Sequence, residues 1–250
     1  MTAPETLEGW FALHDLRRID LGALGHMDGA DREKVLAEAA SVIADAVALN
    51  VAGAGQSLLY SVIGHKADLL MVHLRPDVAQ LHELERSFDR TMLAGICTRP
   101  YSYLSVIEVS RHAAPEGTAE NVEDSPYIQA RLYPEIPERS EYICFYPMSK
   151  RREGADNWYR LEQSERAELM RDHGRTGRKY AGRVSQIVSG SMGLDDWEWG
   201  VTLFADDPLQ FKKLVYEMRF DEVSARFAEF GPFYVGRRMK PDDLGRLARA

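Results

Sequence analysis

The chain of 250 residues contains only two cysteines, Cys97 and Cys144. Two thiols are too few for a disulfide framework or a cysteine-rich zinc site. Each lies in an apolar stretch, which is typical of a small buried residue. The sequence also lacks a glycine-rich phosphate loop, a serine nucleophile elbow and a His-Glu-x-x-His zinc motif, so the common signatures of those enzyme classes are absent.

Long apolar runs and a surplus of positive charge are missing as well. No run approaches the roughly 18 apolar residues of a membrane-spanning helix, and residues 1–5 do not resemble a signal peptide. We therefore expect a cytoplasmic protein with no membrane partner. The 31 Lys and Arg against 39 Asp and Glu give a net charge of −8. This balance does not favour a nucleic-acid partner, because binding phosphate backbones needs clustered cations.

What is present is an ordinary globular composition, with 45% hydrophobic and 28% charged residues. The apolar periodicity predicts the element order β-α-β-β-α-β twice. In the second copy, helices are predicted at 164–179 and from Asp207 to about Arg226. The motif βαββαβ is the ferredoxin-like unit. We predict an α+β fold in which tandem ferredoxin-like repeats, 1–110 and 125–250, flank a linker at 111–124 and form a dimeric α+β barrel within one chain.

A basic cluster follows one predicted strand of the second repeat. The apolar strand around Tyr146 runs directly into Lys150, Arg151 and Arg152. Three cations in an acidic protein indicate a binding site for an anionic ligand, because carboxylates and phosphates bind through charge-assisted hydrogen bonds. The alternative is a solvated strand end with no ligand.

His173 lies on the helix predicted at 164–179, four residues after Leu169, and so beside an apolar stripe. A lone histidine there is more often a core or surface residue than a metal ligand. Haem iron, however, needs only one imidazole on a rigid helix next to an apolar pocket. The remaining histidines show no ligand spacing and fit structural roles: His14, His26, His65, His73, His82 and His112.

Several segments of the second half together resemble the coproheme decarboxylases, the peroxide-dependent haem-synthesis branch of the chlorite dismutase superfamily, in its Firmicutes type. The segments are Tyr142–Arg152, Asn157–Tyr159, His173–Gly182, Gly190–Trp199 and, above all, Gly200–Arg226. The likeness is strong from Ser125 to Gly236 and weaker, though collinear, before it. It implies the tandem ferredoxin-like fold, a homopentamer, and a coproporphyrin ferrochelatase as possible partner.

The resemblance implies oxidative decarboxylation. Iron coproporphyrin III (coproheme) is then both substrate and redox cofactor, hydrogen peroxide is the oxidant, and haem b is the product after two propionates lose CO₂. By resemblance, His173 binds the iron and Tyr146 forms a tyrosyl radical that takes hydrogen from a propionate. The other implied porphyrin-binding residues are Arg131, Pro147, Met148, Ser149, Lys150, Gln186 and Ser224.

The residue at position 186 separates this hypothesis from its neighbours. Chlorite dismutases carry an arginine at the distal position that Gln186 matches, and the actinobacterial decarboxylases carry a histidine. The neutral amide therefore disfavours chlorite dismutation. Two further hypotheses are a haem-binding carrier or sensor without turnover, and a structural ferredoxin-like oligomer. The pairing of an oxidisable Tyr146 with Lys150 argues against a carrier, which has no need of a reactive phenol.

Overall fold

The computed structural model describes residues 5–49, 54–110 and 122–249. The chain divides into two compact units. The N-terminal unit comprises the described residues from 8 to 107 together with 235–249, and the C-terminal unit comprises 5–7 and the described residues from 108 to 234. Most of the predicted linker at 111–124 lies outside the described residues, and Val122–Asp124 forms a 3-10 turn. The repeat boundaries stay a prediction.

The described residues contain eleven strands and seven α-helices. The strands are β1 Thr6–Ile19, β2 Gln56–Val62, β3 Leu69–Arg75, β4 Cys97–Ser110, β5 Tyr142–Lys150, β6 Arg152–Glu153, β7 Asp156–Asn157, β8 Ser185–Gly190, β9 Trp199–Ala205, β10 Ala228–Phe230 and β11 Tyr234–Met239. The helices are α1 Leu21–His26, α2 Gly29–Ala48, α3 Val78–Asp89, α4 Pro126–Leu132, α5 Gln163–Arg178, α6 Leu209–Met218 and α7 Glu222–Phe227. Within the described chain, no helix has both the length and the apolar character to cross a membrane.

The N-terminal unit is a sheet covered by helices on one face. Its strands are ordered β11-β2-β3-β1-β4, and β3 pairs antiparallel with both β1 and β2. Asp28 and Asp77 cap α2 and α3 by accepting backbone N–H groups in the first turn. Apolar residues of these helices pack against sheet residues such as Leu59 and Met71. This apolar layer holds the two helices on the sheet.

The C-terminal unit is built around β5, which pairs antiparallel with two strands in succession. It pairs with β9 from Tyr142 to Met148 and with β10 from Met148 to Lys150. Strand β8 continues the sheet on the far side of β9. Helix α5 has no fully buried residue. It is anchored through Leu169, which packs on the core cluster of Trp158, Val223 and Phe227.

The long helix predicted from Asp207 to Arg226 is wrong. The chain forms two helices, α6 and α7, because Asp221 leaves the helical conformation and caps α7. Its carboxylate accepts the N–H groups of Val223 and Ser224. The helix predicted at 164–179 is present as α5 but begins at Gln163, so Ser164 does not cap it. The chain is thus a mixed α+β protein, while tandem ferredoxin-like repeats closing into a barrel stay a prediction.

Candidate functional site

His173 and Asp221 form the centre of a polar site in the C-terminal unit. Helix α5 carries His173, and its ring Nδ1 lies 3.0 Å from Oδ1 of Asp221. The His173 side chain is 24% exposed, whereas that of Asp221 is 10% exposed. Asp221 reaches the imidazole because it stands at the break between α6 and α7. The interruption of the helix therefore places the carboxylate.

Asp221 is held by several donors at once. Its Oδ1 accepts Val223 N–H at 3.0 Å and Ser224 N–H at 3.2 Å, and its Oδ2 accepts the Ser224 hydroxyl at 3.0 Å. Burial alone would raise the pKa of this carboxyl, but the hydrogen bonds from His173 and Ser224 outweigh it. The pKa of Asp221 is therefore lowered and the group is ionised at neutral pH.

The charge on Asp221 decides where the proton of His173 sits. An ionised carboxylate can only accept hydrogen bonds, so Nδ1 of His173 must carry the proton that it donates. In the neutral imidazole, Nε2 then keeps a lone pair. This is the arrangement of a metal-binding histidine whose second nitrogen is fixed by a carboxylate. The geometry is therefore suited to a role of His173 as an iron ligand.

Lys150 lies at the end of β5 with its ammonium 4.6 Å from the centroid of the Trp158 ring. Among the described residues, no carboxylate comes within salt-bridge distance of this ammonium. Burial lowers the pKa of Lys150 to about 8, and the carboxylates of Asp221 and Glu198 oppose that effect. A partly buried cation without a carboxylate partner has unused capacity for a carboxylate ligand.

Tyr146 also lies on β5 and is buried in an aromatic cluster. Its ring stacks on Phe233 with centroids 4.4 Å apart and lies 5.8 Å from Phe230. Burial raises the pKa of Tyr146 far above its ordinary value, with a further contribution from Cys144 and an opposing one from Arg219. The phenol therefore keeps its proton across the physiological range.

The strand register relates Tyr146 to Gln186. Tyr146 is opposite Val201 on β9, and Val201 is opposite Val188 on β8. Gln186 lies two residues before Val188, so its side chain leaves the same face of the sheet as Tyr146. Gln186 is exposed on that face. The structure therefore brings the predicted distal residue and the predicted reactive tyrosine to one side of the sheet.

The neighbouring β5 residues have different surroundings. Pro147 is buried, and its carbonyl accepts the N–H of Gly231 at 2.9 Å. Only glycine fits at 231, because an added Cβ would lie 2.7 Å from Pro147 Cγ and 2.9 Å from the Trp197 ring. Met148 and Ser149 are half-buried. These contacts fix the strand end that carries Lys150.

Two predicted ligand-binding residues have other contacts. Arg131 is exposed in the last turn of α4, and its guanidinium lies 5.7 Å from the Tyr127 ring centroid. Ser224 is buried and gives its hydroxyl proton to Asp221. No described contact joins Arg131 to His173 or Lys150. The roles of both residues in binding a porphyrin stay predictions.

Sequence reasoning missed two carboxylates of this site, Asp221 and Glu198. Asp221 followed by Glu222 is a helix-start signal, but neither proline nor glycine interrupts the apolar pattern there. Glu198 stands between two tryptophans, and its partners on β5 are 48 and 49 residues away in the chain. Nothing local in the sequence indicates such a partner.

The chain belongs to the chlorite dismutase family, and its mixed α+β fold matches the solved structures of that family. The sequence profile of that family, described as chlorite dismutase, matches residues 32–239. The curated coproheme decarboxylases of two Thermus thermophilus strains are each 49% identical over 239 residues, covering 96% of this chain and 94% of the relative.

Solved structures agree with this assignment. A haem-binding protein from Thermus thermophilus superposes with a TM-score of 0.91 and 47% sequence identity, covering 100% of both chains. Chlorite dismutase from Candidatus Nitrospira defluvii, in complex with imidazole, has a TM-score of 0.76 at 20% identity, with 96% of each chain covered. The second likeness extends to the fold alone.

Proposed function

We propose that this chain is a coproheme decarboxylase. It removes CO₂ from two propionates of iron coproporphyrin III, with hydrogen peroxide as oxidant, and yields haem b as the last step of coproporphyrin-dependent haem biosynthesis. One observation carries the proposal. Asp221 both fixes the proton of His173 at Nδ1 and acts electrostatically on the Lys150 ammonium, so a histidine ligand and a cation share one carboxylate. The identity of 49% to curated coproheme decarboxylases supports it.

The residues present fit an iron porphyrin with carboxylate side chains. Nε2 of His173 would bind the iron, and the Lys150 ammonium would bind a propionate carboxylate. Arg131, Ser149 and Ser224 would contribute further polar contacts, and Pro147, Met148 and Gln186 would line the ring. When bound, the iron centre supplies the means of using peroxide as an oxidant.

Tyr146 is the residue proposed to act on the propionate. Because burial holds its phenolic proton, oxidation by one electron must release that proton and leave a neutral tyrosyl radical. The radical would take a hydrogen atom from the propionate β-carbon and so restore the phenol. Each complete step converts a propionate, one peroxide and one proton into a vinyl group, CO₂ and two waters.

The test is mass spectrometry of the porphyrin after stepwise addition of peroxide to the complex. We expect the porphyrin mass to fall by two CO₂ with the accompanying hydrogen, through an intermediate that has lost one. Tyr146→Phe should bind coproheme and stop the first loss. Tyr216→Phe is the matched control, since Tyr216 is 59% exposed and should leave both losses intact. An unchanged porphyrin mass with the unaltered chain would contradict the proposal.

A haem carrier or sensor is the second candidate, because the solved relative from Thermus thermophilus is described as a haem-binding protein. A carrier would bind porphyrin through His173 and leave both propionates intact in the presence of peroxide. Chlorite dismutation is less favoured because Gln186 offers a neutral amide where charge would hold the oxyanion. The same mass measurement, with chlorite consumption beside it, separates the three activities.

We further propose a cytoplasmic homopentamer that receives coproheme from a coproporphyrin ferrochelatase. The support is the resemblance of the C-terminal half to the decarboxylase branch. We also propose that its architecture is a pair of ferredoxin-like repeats. In support, the elements from β1 to β4 keep the order β-α-β-β-α-β apart from the short helix α1 that precedes α2. Sedimentation of the full chain, with and without coproheme, tests the assembly.

A further inference from the structure

Glu198 is a buried carboxylate that the proposed reaction does not use. It lies directly before β9 and is 7% exposed. Its backbone N–H points to Met148 O at 3.2 Å and to Ser149 Oγ at 3.3 Å, while its carbonyl accepts the N–H of Ser191 at 2.9 Å. The backbone of Glu198 is therefore fixed on both sides, and its side chain has little freedom.

The position of Glu198 coincides with the change of partner along β5. The pairing with β9 ends at Met148 opposite Trp199, and β10 pairs with the other edge of β5 as far as Lys150. The Lys150 N–H consequently has no strand to donate to, and Oε2 of Glu198 accepts it at 2.7 Å. A side-chain carboxylate thus replaces the missing strand at the residue that bears the site's cation.

Two carboxylates and one aromatic ring act on the Lys150 ammonium. Asp221, at the start of α7, and Glu198, directly before β9, both oppose the loss of its proton, and the Trp158 ring centroid lies 4.6 Å away. Asp221 is already engaged by His173 and by α7. Glu198 has one weak cationic neighbour, Arg152, whose Nη1 lies 3.7 Å from Oε1 and whose side chain is 67% exposed.

We propose that Glu198 is a positioning residue for the reaction: it fixes the end of β5 and keeps Lys150 charged for a carboxylate of the porphyrin. The inference rests on the proposed role of Lys150 in binding that carboxylate. A buried ammonium tends to lose its proton, and a nearby anion opposes the loss. Asp221 and Glu198 both oppose the loss of the Lys150 proton, and Glu198 in addition accepts the backbone N–H of Lys150.

The Tyr159 hydroxyl is a further polar group near Glu198. It is buried and makes no well-formed hydrogen bond to a described residue, although it lies close enough to Glu198 to respond to that carboxylate. Burial raises the pKa of Tyr159, and the Glu198 carboxylate raises it further. A neutral phenol at this position leaves the charge of the carboxylate unchanged.

The experiment compares the full chain with Glu198→Gln, which keeps an oxygen for the Lys150 N–H and removes the charge. In the porphyrin-free protein, the pH dependence of Lys150 acylation by acetic anhydride, read by peptide mass spectrometry, gives the pKa of that amine. We expect the variant to lower this pKa by about one unit. Coproheme binding at pH 8 should then weaken about fivefold, the factor by which such a shift reduces the charged fraction.

Glu229→Gln is the matched control, because it removes a carboxylate from β10 that lies 3.6 Å from Arg151. It should leave the acylation profile of Lys150 unchanged. A second variant, Arg152→Gln, removes the cation beside Glu198 on an exposed side chain and should raise the pKa of Lys150 slightly. Equal profiles for all three variants and the unaltered chain would overturn the inference.

A double-mutant cycle separates charge from folding. In a Lys150→Gln background, Glu198→Gln should have no further effect on coproheme affinity. A loss of the same size in both backgrounds would show a general structural role and contradict the proposal. The acylation profile needs no turnover, so a chain that fails to decarboxylate coproheme would refute the proposed function and leave this measurement valid.

Discussion

The two units bury the same kinds of ionisable side chain and surround them differently. In the N-terminal unit, Arg17 makes a two-pronged pair with Asp15, at 2.7 and 2.6 Å, and a third contact to Asp89 at 2.7 Å. Arg99 adds contacts to the same two carboxylates. Arg17, Asp15 and Asp89 thus face opposite charges of the same unit, which is typical of a structural network. The buried Arg75 has no such partner among the described residues and donates instead to the carbonyls of Leu74 and Ala46 and to the Ser57 hydroxyl.

In the C-terminal unit, the ionisable groups of the site are not fully paired within the protein. His173 keeps one ring nitrogen outside its hydrogen bond to Asp221, and Lys150 faces carboxylates only beyond salt-bridge distance. The contrast between two histidines is clearest. His73 is 4% exposed, and burial, reinforced by Arg75 and Arg17, lowers its pKa to about 3. Residue type alone therefore does not identify a binding site. What identifies it is an ionisable side chain that can still bind a ligand after its contacts within the protein are made.

The largest expected effect separates the two histidines. His173→Ala should weaken iron coproporphyrin binding by roughly a thousandfold or more, because the bond to iron has no substitute and a metal–ligand bond contributes several kcal/mol. The same change should leave thermal stability nearly unaltered, since the side chain is partly exposed. Spectroscopic titration of the porphyrin Soret band measures the affinity.

The matched variant is His73→Ala, which should do the reverse. It removes the imidazole that lies 2.8 Å from the Ser57 hydroxyl and should cost about 2–3 kcal/mol of unfolding free energy. Coproheme affinity measured well below the melting temperature should not change. If both variants lost porphyrin to the same extent, the comparison between the units would fail.

Arg17→Ala tests whether the N-terminal network is structural. Asp15 is fully buried, and Arg99, 3.5 Å away, is then its remaining cationic partner among the described residues. We expect a loss of about 3–5 kcal/mol, the usual result of leaving a buried charge without its partner. Urea unfolding measures it. A loss below about 1 kcal/mol would mean that the network does not stabilise this unit.

Asp221→Asn sharpens the account of the iron ligand. The amide still accepts a hydrogen bond from His173 and from α7 but gives the imidazole no negative partner. Loss of such a partner typically reduces metal affinity or activity about 10- to 100-fold. The Fe–His stretching frequency should fall as well. Glu222→Gln, which removes an exposed neighbouring carboxylate, serves as control, and an equal effect of both variants would contradict the assignment.

The smallest effect concerns the charge of Lys150. Since burial lowers its pKa to about 8, the ammonium predominates below pH 8 and the neutral amine above it. Coproheme affinity should fall about fivefold to tenfold between pH 7 and pH 9. Lys150→Gln should bind more weakly at pH 7 and show a flatter dependence. A steep profile retained in that variant would assign the titration to another group.

The sequence predicted those parts of the structure that are encoded locally. The strand with Tyr146 and the helix with His173 follow from apolar periodicity. Lys150 follows from the charge cluster after that strand. The resemblance adds the family, which the profile match over 32–239 shows.

The rest depends on partners that are distant in the chain. The helix break at Asp221 could not be predicted, because the apolar pattern of period 3.6 continues into α7 while the backbone leaves the helical conformation at Asp221. The hydrogen bond between His173 and Asp221 spans 48 residues, and that between Lys150 and Glu198 also spans 48. Such pairs form only when the fold brings the elements together.

One carboxylate, that of Asp221, ties the first turn of α7 to the imidazole of His173. Any event that changes the electron density of the ring also changes how strongly Asp221 accepts from Val223 and Ser224. The exchange of those two amide hydrogens with solvent deuterium should therefore slow or quicken with the state of the ring. The amide hydrogens of α7 would then report on the state of the His173 ring on α5 without an added label.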